Sequence, residues 1–427
     1  MNYLNLNKKK LLEEKETILK KYKKFKNLNL NLNMTRGKPS PEQVNLSKEM
    51  LNIITSESSC ISEDGIDCLN YGLLDGLSEL KEIFEPVLGV KKEQIFVGGN
   101  SSLSMMFDTI SFFMTHGVCG NAPWQKLKKI KFLCPCPGYD RHFTILRHFD
   151  IEPISIEMTT AGPNMDMIEQ LVSNDETIKG IWCVPKYSNP QGITYSDDTV
   201  KRLAALKPLA PDFRIFWDNA YAVHSFSDKS EKLLNIMEEC QKNNSEDLPI
   251  IFCSTSKITF PGAGVAFLGA SDNNIKEIKK MYSFKTIGFN KINQLRHALY
   301  FKNYQGLLNH MKKHSNILKP KFDAVINTLK TEFNDNKIIA FTEPSGGYFI
   351  SVDVMNGCAK RVVELCKNIG LILTDAGATF PNGFDKNDSN IRLAPSYPNI
   401  NELKLAMLVF CTCVKLATLE KLLKDSL

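Results

Sequence analysis

The residues of this chain best suited to covalent and proton-transfer chemistry stand directly after short apolar runs. Ile251-Phe252-Cys253 leads into Ser254-Thr255-Ser256-Lys257. An amine held out of water at such a place gives up its proton readily, and a neutral amine attacks carbonyl groups to form a Schiff base. Arg214-Ile215-Phe216-Trp217 leads into Asp218-Asn219-Ala220-Tyr221. A carboxylate that closes an apolar strand is costly unless a cation or a strong donor meets it. Trp182-Cys183-Val184 leads into Pro185-Lys186-Tyr187-Ser188-Asn189-Pro190-Gln191-Gly192. Asn before Pro, with Gly two residues beyond, makes a rigid turn and aims the Asn189 amide.

Two more segments share this placement. Gln94 to Val97 runs into Gly98-Gly99-Asn100-Ser101-Ser102, and an apolar helix begins at Leu103. Free N–H groups and hydroxyls at a helix N-terminus suit a phosphate. The segment is not a P-loop, since no Gly-Lys-Ser/Thr follows, and an ordinary helix cap explains it equally well. Phe132-Leu133 runs into Cys134-Pro135-Cys136-Pro137-Gly138-Tyr139, where the tyrosine ring could stack on a flat ligand or simply follow a surface turn. Singly, each feature has a plain structural explanation: Asp218 could pair with an arginine and Lys257 could be solvated. Their joint order carries the functional reading.

Such residues act together only if a scaffold brings the strand ends to one edge. The runs at Gln94 to Val97, Ile130 to Cys134, Gly180 to Val184, Phe213 to Trp217 and Pro249 to Cys253 are short and lack clean alternation. They predict buried parallel strands interleaved with helices, an α/β sheet whose ligands sit at the carboxyl ends of the strands. The expected large domain spans 60–305. The expected smaller α+β domain combines 1–59 with 306–427. It holds a helix over 8–26, a long helix from Gln305 to Phe333 and a strand within Gly346 to Asp353. A helix from Arg361 to Asn368, a strand from Asn390 to Leu393 and a C-terminal helix from Asn401 complete it. Asn27 to Asn33 alternates Asn with Leu, and Thr35-Arg36-Gly37-Lys38-Pro39 reads as a turn-rich loop.

Bulk properties agree with this division. A chain of 427 residues suggests two domains, and 43% hydrophobic with 23% charged residues is an ordinary globular composition. The net charge of +6 is mild, and Lys8 to Lys10 and Lys20 to Lys26 read as solvated helix faces, not as a nucleic-acid footprint. The twelve cysteines include no C-x-x-C pair, so reduced thiols are expected and no metal site. No apolar run of membrane-spanning length occurs, and Glu13, Glu14 and Glu16 near the start fit neither a secretory nor a transit signal. A cytoplasmic protein with no membrane partner is expected.

Asn189-Pro190 with Gly192, Asp218-x-x-Tyr221, Ser254-x-Ser256-Lys257 and Arg392, in that order, resemble the ordered motif of the class I aminotransferases of fold type I. The resemblance runs from about residue 35 to 398. It is closest to the type Ic aspartate aminotransferases through Thr35-Arg36-Gly37-Lys38-Pro39, Asn70-Tyr71-Gly72, Gly99-Asn100-Ser101-Ser102-Leu103, Pro137-Gly138-Tyr139-Asp140-Arg141 and Gly262-Ala263-Gly264-Val265-Ala266-Phe267. It implies a large domain with a mostly parallel, seven-stranded-type sheet and pyridoxal 5′-phosphate as cofactor. Lys257 would carry that cofactor as a Schiff base and, once displaced, move the substrate's Cα proton. Asp218 would keep the pyridine nitrogen protonated, which makes the ring a better electron sink. Tyr221 and Asn189 would bond its phenolic oxygen, and Tyr139 would stack on the ring. Ser101, Ser102, Ser254 and Ser256, in segments that include Asn100, would hold the phosphate. Tyr71 would reach it from the neighbouring subunit of a homodimer. Arg392 would grip the substrate carboxylate, with Asn189 and Gly37 nearby.

One position departs from the family. Many members place an arginine eight residues after the lysine, against the phosphate, and here that residue is Val265. Neutral donors, a helix dipole or another cation must balance the charge. A dicarboxylic substrate also needs a second cation. Arg36 is the first candidate, followed by Lys38, Arg141 and Lys285. The resemblance therefore implies amino-group transfer from an L-amino acid, aspartate first, to 2-oxoglutarate. A transaminase of other specificity or a β-lyase shares the same core residues. A PLP-binding regulator is a third reading, but only about thirty residues precede the first motif, too few for a DNA-binding module.

Overall fold

The computed structural model describes residues 3–227, 231–334 and 337–426. In chain order the strands begin with a two-residue β1 (Leu32–Asn33). The large sheet follows with β2 (Ile95–Val97), β3 (Lys131–Cys136), β4 (Glu152–Thr159), β5 (Gly162–Pro163), β6 (Ile178–Cys183), β7 (Arg214–Asp218), β8 (Pro249–Ser254) and β9 (Ala266–Ala270). The smaller part contributes β10 (Ile339–Phe341), β11 (Ile350–Val354), β12 (Leu371–Ile372) and β13 (Asn390–Leu393).

Hydrogen bonding orders the large sheet as β2-β9-β8-β7-β6-β3-β4-β5. The pairs β3·β4, β3·β6, β6·β7 and β7·β8 are parallel. β9 runs antiparallel to both β2 and β8, and β5 is a two-residue antiparallel edge on β4. Seven substantial strands and this short eighth match the expected mostly parallel sheet. Two antiparallel steps separate β2 from β8, so both point the same way. The carboxyl ends of β2, β3, β6, β7 and β8 therefore share one edge. β4 and β9 are strands that the short apolar runs do not pick out: β4 alternates polar and apolar residues, and β9 is built mostly of small ones.

β6 and β7 are buried along their whole length, as expected where helices cover both faces. Alternation divides their side chains between two apolar layers. Ile181, Ile215, Trp217 and Ile251 enter one layer, and Trp182, Phe216 and Phe252 enter the other. With a side-chain period of two, Asp218 lies on the Phe216 side.

A third apolar core belongs to the smaller part. β10, β11 and β13 form an antiparallel sheet, and β1 pairs in parallel with β12. The C-terminal helix Ile400–Asp425 buries residues all round its axis, including Met407, Phe410, Cys411, Val414 and Leu419. A helix of that kind must be covered on several sides. One cover is the helix Lys8–Lys26, whose buried residues Leu11, Ile18 and Tyr22 form a single stripe. The long helix Tyr304–Phe333 joins the two parts. Leu307 and Met311 enter the large-sheet core, whereas Leu318, Phe322, Val325 and Leu329 enter the smaller one. Within the segment 346–353 only the residues from Ile350 onward are strand; Gly346-Gly347 turns closely past Tyr187.

Candidate active site

A cavity of about 720 Å³ opens where the carboxyl edge of the large sheet faces the smaller part. From the sheet come Ser101, Ser102, Tyr139, Asn189, Asp218, Tyr221, Ser254, Ser256 and Lys257. From the other side come Phe349, Thr374 and Arg392, and the loop Thr35 to Lys38 lies across the mouth. The structure thus gathers residues as far apart in the chain as Thr35 and Arg392. Two expected residues stand elsewhere. Asn100 contributes a carbonyl, which accepts from Ser256 Oγ at 3.0 Å, while its own side chain is not on the cavity wall. Tyr71 is 85% exposed and outside the cavity of its own chain.

Lys257 ends the short 3-10 turn Thr255–Lys257 that follows β8. Burial lowers the pKa of its amine, and the Asp218 carboxylate pulls it partly back up. Its ammonium nitrogen lies 5.1 Å from the centre of the Tyr221 ring. Behind the turn, His224 Nε2 and the Tyr348 hydroxyl both donate to the Lys257 carbonyl, at 3.3 and 3.4 Å. The backbone that carries the amine is therefore held from two sides.

Asp218 is 3% exposed at the end of β7. Among the described residues no arginine meets it. His142 Nε2 donates to Oδ2 at 3.1 Å, and the His142 ring stacks on Trp182 at 4.3 Å and 8°. The other oxygen, Oδ1, is buried with no partner among the described residues. An orphaned buried carboxylate oxygen is unfavourable on its own and fits a donor such as a pyridinium N–H. Burial, together with Asp218 and Asp140, pushes the Tyr139 phenol up to about 12, and burial likewise raises Tyr221. Both stay protonated donors at neutral pH.

At the cavity's other side, Ser254 Oγ donates to Ser256 Oγ at 3.1 Å. Ser101 caps the helix Ser102–His116 without a side-chain bond to it, so the first-turn N–H groups keep their capacity for an anion. Hydroxyls and a helix N-terminus fit a phosphate. Val265 packs in the apolar core beneath β8, so its side chain does not substitute for the family's arginine.

Arg392 on β13 donates through Nη1 to Asn189 Oδ1 at 3.2 Å and to Asp140 Oδ1 at 2.9 Å. Its guanidinium carbon lies 4.9 Å from the Phe349 ring centre. Gly37 is required beside that ring, since a Cβ there would sit 2.5 Å from Phe349 Cζ. Arg36, Lys38 and Arg141 are exposed on the cavity wall. Lys285 is not part of it: the amine pairs with Asp108 at 2.5 Å in a neighbouring groove.

Four participants escape the sequence reading: His142, Asp140, Phe349 and Tyr348. Asp140 and His142 follow Tyr139 immediately, and reading a helix from Asp140 would have placed both near its N-terminus.

An amine primed for carbonyl attack, with a carboxylate oxygen awaiting a buried donor, is the apparatus of pyridoxal chemistry on the two-part scaffold of the fold type I aminotransferases. The comparisons agree. The family model described as aspartate amino-transferase matches residues 6–426. A putative aminotransferase of Mycolicibacterium smegmatis is 43% identical over 100% of both chains. An aspartate aminotransferase of Corynebacterium glutamicum is 43% identical over 95% of this chain and 94% of its own. The crystal structure of an aspartate transaminase from Corynebacterium glutamicum superposes with a TM-score of 0.96 at 41% identity, covering 99% of each chain. The chain belongs to the aspartate aminotransferase family, and it is an aminotransferase.

Proposed function

We propose that this enzyme moves the amino group of L-aspartate to 2-oxoglutarate through pyridoxal 5′-phosphate, in two half-reactions at one site. The observation that carries the reading is that one cavity holds the buried Lys257 amine, the unpartnered Asp218 Oδ1 and, from the smaller part, Arg392. The Corynebacterium glutamicum aspartate aminotransferase at 43% identity supports aspartate as donor, and so do Arg36, Lys38 and Arg141 on the cavity wall.

When bound, the cofactor supplies a carbonyl for the substrate amine and a ring that spreads the electron pair left on Cα. Asp218, oriented by His142, would hold the proton on the ring nitrogen. Tyr221 and Asn189 would donate to the ring's phenolic oxygen, and Tyr139 would stack on the ring. Ser101, Ser102, Ser254, Ser256 and the helix start at Ser102 would hold the phosphate with neutral donors in place of the absent arginine. Lys257 would anchor the cofactor and, once released, its amine would move the proton at the substrate Cα. Arg392 binds the α-carboxylate, and Arg36 is our choice for the distal carboxylate.

The large unit of 60–305, and the smaller one of 1–59 with 306–427, place the site between them. The working form is a homodimer in the cytoplasm. Leu69, Tyr71, Phe284 and Ile287 are 65–85% exposed. Their two loops meet through Lys291 Nζ, which donates to the carbonyls of Asn70 and Gly72 at 2.6 and 2.9 Å. A partner covering this patch would receive Tyr71 toward its own phosphate site. All twelve cysteines are free, in keeping with a reducing compartment, and among the described residues no helix is long and apolar enough to cross a membrane.

The test is an absorption spectrum of the purified protein with and without aspartate, with Lys257→Ala as control. The cofactor band should lie at roughly 360–430 nm, move to about 330 nm with aspartate, and return with 2-oxoglutarate. A band unmoved by aspartate would remove that substrate. No band after addition of pyridoxal phosphate would overturn the proposal.

A further inference from the structure

Arg392, read above as the carboxylate anchor, already has an acidic partner in this chain. Nη1 of a guanidinium carries two protons, and both are in use: one meets Asp140 Oδ1 at 2.9 Å and the other Asn189 Oδ1 at 3.2 Å. Nη2 has only a 3.5 Å contact with Thr374 Oγ1, and Nε is buried without a partner among the described residues. A carboxylate can bind a guanidinium bidentately on its Nη1–Nη2 edge or on its Nε–Nη2 edge. The first is closed by Asp140 and Asn189. The second is open.

Asp140 is held firmly in this position. It is the first residue of the helix Asp140–His148, and His142, two residues on, is pinned by Asp218 and by the Trp182 ring. The turn before it is tied across the cavity by Gly138 N–H donating to the Thr379 carbonyl at 2.7 Å. The side chain of Arg392 is 7% exposed and that of Asp140 is 34% exposed, so the pair is incompletely screened by water.

We propose that Asp140 is a built-in counter-ion of Arg392, a positioning residue that leaves only the Nε–Nη2 edge for substrate and weakens the anchor's hold on a carboxylate. An aminotransferase must release a carboxylate-bearing product from the same anchor in each half-reaction. Binding energy that is equal for substrate, transition state and product does not raise kcat, and excess hold slows exchange. A counter-ion that remains in place tempers it. The proposal rests on the reading of Arg392 as that anchor.

The experiment measures maleate binding to the cofactor-loaded enzyme by calorimetry and by the shift of the cofactor band. Asp140→Asn keeps an oxygen acceptor for Nη1 and removes only the charge. It should bind maleate about fivefold more tightly than wild type, with the gain shrinking as salt is raised. Tighter binding is a result that local damage does not produce, and matching melting curves check the fold. Arg392→Gln should lose maleate binding. If it does and Asp140→Asn binds no more tightly than wild type, the counter-ion proposal falls while the anchor stands. If Arg392→Gln binds maleate like wild type, the anchor reading fails and takes this proposal with it.

Discussion

His142 Nε2 lies 3.1 Å from Asp218 Oδ2, while Asp218 Oδ1 is buried with no partner among the described residues. One oxygen is oriented by the protein and the other is left for a ligand. Replacing His142 by Ala removes a buried bond to a charged group, worth about 1.5–3 kcal/mol. We expect kcat/KM to fall roughly 10–100-fold, with a weaker hold on the cofactor in dialysis. Steady-state kinetics near wild type would show that Asp218 needs no support.

The Lys257 amine has its pKa lowered by burial and partly restored by Asp218. In the apoenzyme, reductive alkylation of Lys257 followed by peptide mass spectrometry should therefore show a midpoint below the ordinary 10.5. Asp218→Asn takes away the nearby negative charge, so the midpoint should drop further. An upward shift in that variant would contradict the assigned cause.

Buried histidines should make the protein lose stability in acid. Burial lowers His224 and His314 to about 3 and His297 to about 4, from an ordinary 6.5. Above 6.5 both folded and unfolded forms are neutral and stability is full. As pH falls from 6.5 toward 3–4, the unfolded chain takes up protons that the folded chain refuses. Stability then declines by up to about 1.4 kcal/mol per pH unit for each histidine. Urea titrations of His314→Gln between pH 4 and 8 should show a shallower acid limb. An unchanged slope would remove His314 from the account.

Gly192 closes the turn that carries Asn189, at φ +68°. A Cβ there would lie 2.3 Å from Pro344 Cβ, across the boundary with the smaller part. Gly192→Ala should cost about 1–3 kcal/mol in denaturant titration through backbone strain and overpacking. Activity should fall with it, because Asn189 shifts. A loss under about 0.5 kcal/mol would mean that the turn yields freely.

Much of the site was legible because its residues punctuate strands. Lys257, Asp218, Asn189 and Tyr139 each follow an apolar run, and parallel strands must deliver such positions to one edge. His142 was not legible, because nothing in its spacing says that its helix tilts it toward β7. Lys285 looked as able as Arg141 to meet a carboxylate until Asp108 was found to hold it.

The sequence by itself determined the order of the elements, the apolar faces that must be buried and the residue types at the strand ends, since these follow from side-chain period and local turn chemistry. Only the tertiary structure decided the partners. It set His142 instead of an arginine on Asp218, turned Val265 into the core and gave Arg392 an acidic companion. Those choices depend on distances between segments far apart in the chain, and such distances exist only after the two parts have packed.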